Sequence, residues 1–331
     1  MPFRRIAIAG ASQSPNGHST GYAIAKKLLL ERRERSRFDS VTILGRKKSS
    51  ADKQASIDEL VSLGAEYLPI EYGNVDETAQ ALKERKIDCV LSCLAVSDPK
   101  AIGESEVNLV KASAKAGVKR FFPSQYGPDD DNLPPERVWR ISQRKSHVAN
   151  LGQKLGMEVT KVVTGIFYEA IFTDNGVFHW SDDGKSTPKG IICGEERSGE
   201  VMAISIDDIA NFVSAMLSAS DTSPTANRAV RIIADRYRTG DEFALFEEVT
   251  GRTVERVRYP MGDPINDRGK FPQYPRLVAG NHYYVDPALS DNHLFPEVTP
   301  LTLREWLKKQ VAETGSASLR FPGGGTRKAR L

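Results

Sequence analysis

Cysteine is scarce in this sequence: Cys89, Cys93 and Cys193 are an odd number, with no CxxC pair and no Cys/His cluster at zinc-like spacing. That excludes a disulfide framework and a structural zinc centre, and a reducing compartment is expected. Excess charge is also missing. The 46 Lys and Arg against 43 Asp and Glu leave +3 over 331 residues, too little for a global field that would capture nucleic acid. The densest basic run, Arg32, Arg33, Arg35 and Arg37, alternates with Glu31 and Glu34 and reads as the solvated end of a surface helix. No window approaches the roughly 18 unbroken apolar residues of a membrane span. Strand-like Ile6 to Ala9 follows Met1 too closely for a charged leader and an apolar signal core. The expectation is a cytoplasmic protein with neither nucleic-acid nor membrane partner.

What is present is periodicity. Short β-branched runs at 5–9, 40–44, 66–69, 89–94 and 119–123 alternate with stretches at 21–33, 55–63, 75–85 and 102–116 whose apolar residues recur at three and four. Strand and helix in alternation build a parallel sheet between helix layers. Continuous apolar runs such as Cys89-Val90-Leu91 fit strands buried on both faces. A helix over 138–155 and a sixth strand over 158–164 follow the acidic, proline-containing loop at 127–136. The fold class expected is α/β, a doubly wound parallel sheet of Rossmann type with a smaller C-terminal lobe. Beyond Gly165 the pattern loosens, with turns near 182–185 and 262–274 and helices near 206–219, 241–250 and 302–314. Residues 315–331, rich in glycine and basic side chains, read as a loose tail.

In such a sheet the turn after the first strand lets a pyrophosphate reach backbone amides at a helix N-terminus. Here that turn runs from Gly10 to Gly21, longer than the compact glycine fingerprints, with Gly10, Ser12, Gly17 and Gly21 as candidate contacts. The second strand ends Gly45-Arg46-Lys47-Lys48, where a protein reading the plain adenosine ribose would carry Asp or Glu. Arg46 and Lys47 there favour the 2′-phosphate of NADP(H). Cys93, at the end of the fourth strand, is placed along the cofactor cleft or in ordinary strand-end packing. The expected division is therefore an NADP-binding domain over 1–164 and a substrate lobe over 165–314, interleaved with the sheet.

A Tyr-x-x-x-Lys helix supplies the proton in short-chain dehydrogenases, but the corresponding segment here is Ile141-Ser142-Gln143-Arg144-Lys145. Ile141 cannot transfer a proton, which leaves Lys145, another side chain or water. The segment Lys119-Arg120-Phe121-Phe122-Pro123-Ser124-Gln125-Tyr126-Gly127 is similar to the KRFxPSEFG segment of the NmrA-like and isoflavone reductase-like group of atypical short-chain dehydrogenases. Gln125 stands where those reductases usually have Glu, and Tyr126 where they have Phe. Lys145 resembles their catalytic lysine in placement, and Thr164-Gly165-Ile166-Phe167-Tyr168 resembles the segment used beside nicotinamide and substrate. Ile206 to Ala210 and Glu248 to Arg252 also look like habits of the wider superfamily.

This resemblance implies hydride transfer from NADPH to a small aromatic or conjugated carbonyl or enone substrate, in secondary metabolism. Lys145 would position the nicotinamide ribose and act as acid or base. Ser124 and Phe167 would line the cofactor, and Tyr126, Tyr168 and His147 are further proton candidates. Phe167, Phe172, Phe178, His179 and Trp180 read as an apolar wall for a flat substrate or as core. Asp129, Asp130 and Asp131 are too crowded to face one ion, and no metal is expected. The competing function is an NmrA-type redox sensor that binds NADP without chemistry. Epimerisation on the same fold is disfavoured by the missing tyrosine at 141. Monomer and homodimer both remain open.

Overall fold

The computed structural model describes residues 2–13, 19–46, 51–94, 101–133, 140–173, 176–180, 187–262 and 273–315. Gly17, Lys47, Lys48, the turn at 182–185 and the tail beyond 315 lie outside the described residues, as does the side chain of Ile141. In chain order the first half runs β1 (Arg5–Ala9), α1 (Thr20–Arg35), β2 (Ser40–Arg46), α2 (Ala51–Ser62), β3 (Glu66–Ile70), α3 (Val75–Glu84) and β4 (Cys89–Ser92). A π-helical turn, Ala101–Ser105, then leads into α4 (Glu106–Ala116), followed by β5 (Arg120–Phe122), β6 (Tyr126–Gly127), α5 (Arg140–Lys154) and β7 (Glu158–Val163). The helix expected over 102–116 thus begins with a wider turn around Gly103, whose backbone freedom lowers its propensity for regular helix.

The second half contributes β8 (Ile166–Phe167), α6 (Tyr168–Ile171), β9 (Phe178–His179), β10 (Lys189–Cys193), β11 (Glu200–Ile204), α7 (Ile206–Ser218), β12 (Arg228–Arg231) and β13 (Asp235–Arg238). It closes with α8 (Asp241–Thr250), β14 (Glu255–Tyr259), α9 (Gln273–Ala279) and α10 (Leu303–Thr314). The last helix opens on a capping box in which the Thr302 side chain and Glu305 satisfy each other's backbone amides.

The main sheet is parallel throughout, in the order β12-β7-β5-β4-β1-β2-β3, with β6 pairing beside β5 along β7. This is the doubly wound arrangement, and strand order reverses between β1 and β4. Alternation along each strand feeds two cores. Ile6 and Ile8 of β1 and Leu91 of β4 face Ile24 and Leu28 of α1 and Phe212 and Val213 of α7. Ala7, Ala9 and Val90 face Leu82, Leu109, Val110 and Val148 from α3, α4 and α5. Two small three-stranded sheets, β14-β10-β9 and β13-β11-β8, complete the C-terminal part. The chain also returns to the main sheet there: α7 packs on α1 and β12 adds a strand beside β7.

The basic run near residue 32 is structural. Arg35, Arg37 and Lys27 converge on the buried carboxylate of Glu31, and Arg32 donates to the carbonyls of Asp39 and Gly64.

Candidate active site

The reversal of strand order is where an open α/β sheet offers a crevice at its carboxyl edge. Gly10 leaves β1 at φ +79°, and a Cβ there would stand 2.3 Å from the carbonyl oxygen of Cys93. Only glycine fits that left-handed conformation and that approach. A Cβ on Gly21, in the first turn of α1, would stand 2.4 Å from the Gly10 carbonyl and 2.8 Å from Cys93 Cβ. Gly10, Gly21 and Cys93 are therefore close-packed, and helix α1 starts directly above them. The Ser19 side chain caps α1 through the Tyr22 amide, and no acidic side chain occupies its first turn. Ser12 is half-buried in the same turn, and the Gln13 amide next to it donates to Ser56 Oγ of α2 at 3.0 Å.

Arg46 ends β2 with an exposed side chain, while its carbonyl accepts from the Tyr67 hydroxyl at 2.8 Å. The phenol of Tyr67 thereby anchors the strand end at which the chain's basic turn begins.

On the other side of the reversal, Ser124 follows β5. Its hydroxyl donates to the Leu94 carbonyl at 2.8 Å, tying the ends of β4 and β5 together, and its amide donates to Glu106 Oε1 at 2.6 Å. Glu106 opens α4 and is fully enclosed, and its second oxygen has no hydrogen-bond partner. Burial pushes the Glu106 carboxyl above the ordinary range, against the Ser124 amide, the Ser92 hydroxyl and the Lys145 ammonium, which favour its charge.

Lys145, on α5, is buried. Desolvation lowers its ammonium below the usual lysine value, opposed by the carboxylates of Asp130 and then Glu106. Tyr126 has a buried hydroxyl without a hydrogen-bond partner, beside the Cys93 thiol, and burial raises it well above an ordinary phenol. Burial likewise pushes the Cys93 thiol up to about 12, which keeps it in the thiol form at neutral pH.

The ends of β1, β4, β5 and β6 and the first turn of α1 thus gather Gly10, Gly21, Cys93, Ser124 and Tyr126, while Lys145 is buried on α5. Phe167 of β8, half-buried, packs on the same core as Cys93 and Tyr126. Tyr168 goes elsewhere. It is fully buried in the C-terminal core against Trp306, ring centroids 5.6 Å apart, and its hydroxyl donates to the Leu301 carbonyl at 3.0 Å. A hydroxyl so engaged is not presented to a ligand. His147 points to solvent on α5. The aromatic wall is also a core: Phe172 and Phe178 are fully buried with centroids 4.9 Å apart, Trp180 stacks on Phe178, and only His179 is exposed.

The three neighbouring aspartates face three partners. Asp129 takes a bidentate pair from Arg231, Asp131 pairs with Lys161, and the charge of Asp130 favours the ammonium form of Lys145. Glu106 was not singled out from the sequence, although Leu109, Val110 and Ser113 at three, four and seven residues beyond it mark its position as lying on the buried face of α4.

Strand order and the glycine packing at its reversal define a Rossmann-type α/β protein. The chain matches the sequence profile of the NmrA-like family over residues 33–302, and it belongs to that family. It is 26% identical over 277 residues to isoflavone reductase of Medicago sativa, covering 78% of this chain and 83% of that one. It is also 26% identical over 294 residues to phenylcoumaran benzylic ether reductase PT1 of Pinus taeda, covering 81% and 90%. Its fold is similar to that of leucoanthocyanidin reductase of Vitis vinifera, solved as a binary complex with NADPH, with a TM-score of 0.73 at 23% identity over 92% of this chain and 98% of that one.

Proposed function

We propose that this protein is an NADPH-dependent reductase of a small aromatic or conjugated substrate, a carbonyl or an enone, of the kind met in secondary metabolism. The observation that carries the reading is Lys145: an ammonium buried on α5, with its proton loosened by desolvation. Relatives named as reductases, and a neighbour of like fold solved with NADPH, support it.

The residues present suit a dinucleotide. Gly10 and Gly21 let the ends of β1 and β4 and the start of α1 pack against one another, which sets the N-terminus of α1 at the crevice, where a pyrophosphate is suited. Arg46, exposed at the end of β2, is suited to a 2′-phosphate through charge-assisted, bidentate hydrogen bonds. When bound, the cofactor supplies the hydride. The chain's own task is the proton. Lys145 holds one at Nζ in a place where lowered solvation makes its release to a developing oxyanion or enolate easier than from an exposed lysine. Ser124, fixed at both its hydroxyl and its amide, keeps the edge beside it rigid. Tyr126, its hydroxyl unpaired, is the second proton-bearing group on this edge. In this reading residues 1–164 carry the cofactor, and the C-terminal residues to 314 bring the substrate side.

Calorimetric titration with NADPH and NADH, on the wild type and on Arg46→Ala, tests the binding half. An NADPH-consumption screen against aromatic ketones, quinones and enones tests the chemistry. Turnover of at least one such class is expected. NADPH binding without any turnover would replace the reductase by a sensor, and absence of binding would remove both.

A further inference from the structure

Tyr67 of β3 is paired with Ile43 of β2, and the parallel register continues through Gly45 with Pro69 and Arg46 with Ile70. Side chains alternate along a strand, so Tyr67, Ile43 and Gly45 share one face of the sheet. On that face Tyr67 packs with Ile43 and with Leu60 of α2. From there the phenol leans along β2 towards the carboxyl edge. Gly45 makes the room for it: a Cβ at that position would stand 2.5 Å from Cε2 and 2.5 Å from the hydroxyl oxygen of Tyr67. Past the glycine, the hydroxyl donates to the carbonyl of Arg46 at 2.8 Å. The backbone of β3 has less to give here, because Pro69, opposite Gly45, carries no amide hydrogen. We propose that Tyr67 is the positioning residue of Arg46: by holding the end of β2 across a bare Gly45, it sets the preference for a dinucleotide with a 2′-phosphate over one with a plain ribose.

A hydrogen bond to the Arg46 carbonyl fixes the peptide plane that follows Arg46, and with it the direction in which the side chain leaves the strand. Each backbone or side-chain unit that must be ordered when a ligand arrives subtracts from the binding free energy. Arg46 is exposed at the sheet's edge, and Tyr67 supplies order from the backbone side before any anion is present. The 2′-phosphate is the one group by which NADPH differs from NADH, so an effect passed through Arg46 falls on NADPH alone. A phenol that only filled space beside Ile43 would affect the two cofactors alike. Phenylalanine at 67 separates these roles, since it keeps the ring over Gly45 and removes the donor.

The inference rests on the reading of Arg46 as the 2′-phosphate contact, and one experiment distinguishes failure of the two. Calorimetric titration with NADPH and with NADH is carried out on the full-length wild type, Tyr67→Phe, Arg46→Ala and the double variant. In Tyr67→Phe the affinity for NADPH should fall by about three- to tenfold, the worth of one hydrogen bond, with NADH affinity unchanged. In the Arg46→Ala background the same substitution should weaken neither cofactor further, because the residue through which Tyr67 acts is gone. Equal losses for the two cofactors in folded Tyr67→Phe, or no loss, overturn the proposal. A selective loss in Arg46→Ala without one in Tyr67→Phe overturns it while leaving Arg46 at the 2′-phosphate. A wild type that binds NADH as tightly as NADPH removes the reading of Arg46 and the proposal together.

Discussion

Gly10 and Cys93 touch through their backbones: the carbonyl oxygen of Cys93 occupies the space, 2.3 Å away, that any Cβ on Gly10 would need, while the Cys93 amide donates to the Ala9 carbonyl at 2.8 Å. The ends of β1 and β4 are thereby fastened at the point where strand order reverses. Gly10→Ala is expected to combine a strained left-handed backbone with this collision. It should lower stability by about 1–3 kcal/mol and weaken NADPH binding. Urea unfolding and calorimetry check both, and a variant as stable as wild type would contradict the packing.

Arg46→Ala should lower NADPH affinity by about tenfold or more, the loss of a charge-assisted contact, with NADH affinity little changed. Equal losses for the two cofactors would place Arg46 away from the 2′-phosphate.

Lys145→Ala should reduce turnover by about 10²–10⁴-fold, the range for a general acid or base, while the protein still folds. Tyr168→Phe is the contrasting change. It removes only the hydrogen bond to the Leu301 carbonyl, so a cost of about 1 kcal/mol in stability and wild-type turnover are expected. A turnover defect in Tyr168→Phe at unchanged stability would return that residue to the chemistry.

Glu169, in the short helix α6, is buried, and both its oxygens lie 3.1 Å from the Ile206 amide at the start of α7. Burial, then Asp207 and Asp208, pushes its carboxyl up to about 8. The folded state therefore holds a proton that the unfolded chain releases near 4.5. Its contribution is fully present below the unfolded value and is lost as pH rises towards 8, at about 1.4 kcal/mol per unit of pKa difference. Denaturant unfolding at pH 5 and pH 8 should show a larger loss for the wild type than for Glu169→Gln. Equal pH dependence in the two would refute the assignment.

Strands and helices of the first half stand in the sequence because each is a strong local pattern. β1 at Arg5–Ala9 and α8 at Asp241–Thr250 coincide with the expected spans, and the other boundaries move by a few residues. In the glycine turn, the close packing of Gly10 and Gly21 against Cys93 was not legible, since the spacing of glycines says nothing of what the fourth strand brings beside them. The aromatic cluster shows where the pattern stops informing. Phe172, Phe178 and Trp180 look alike as pocket or as core, and only three-dimensional packing against Phe243, Phe246 and Trp306 decides for core. Tyr168 fails similarly, because its partner Leu301 is 133 residues away. Glu106 is the converse: a charged residue on an apolar helical face, readable as buried only once that face is followed through Leu109, Val110 and Ser113.

The contact between α1 and α7 has a consequence for biosynthesis. Ile24 and Leu28 are covered by Phe212 and Val213, and the Phe3 amide donates to the Leu217 carbonyl at 3.0 Å. While the first 200 or so residues emerge from the ribosome, one face of the nascent sheet stays bare and sticky. The earliest strand of the protein cannot finish folding until a helix made two-thirds of the way along the message arrives to cover it.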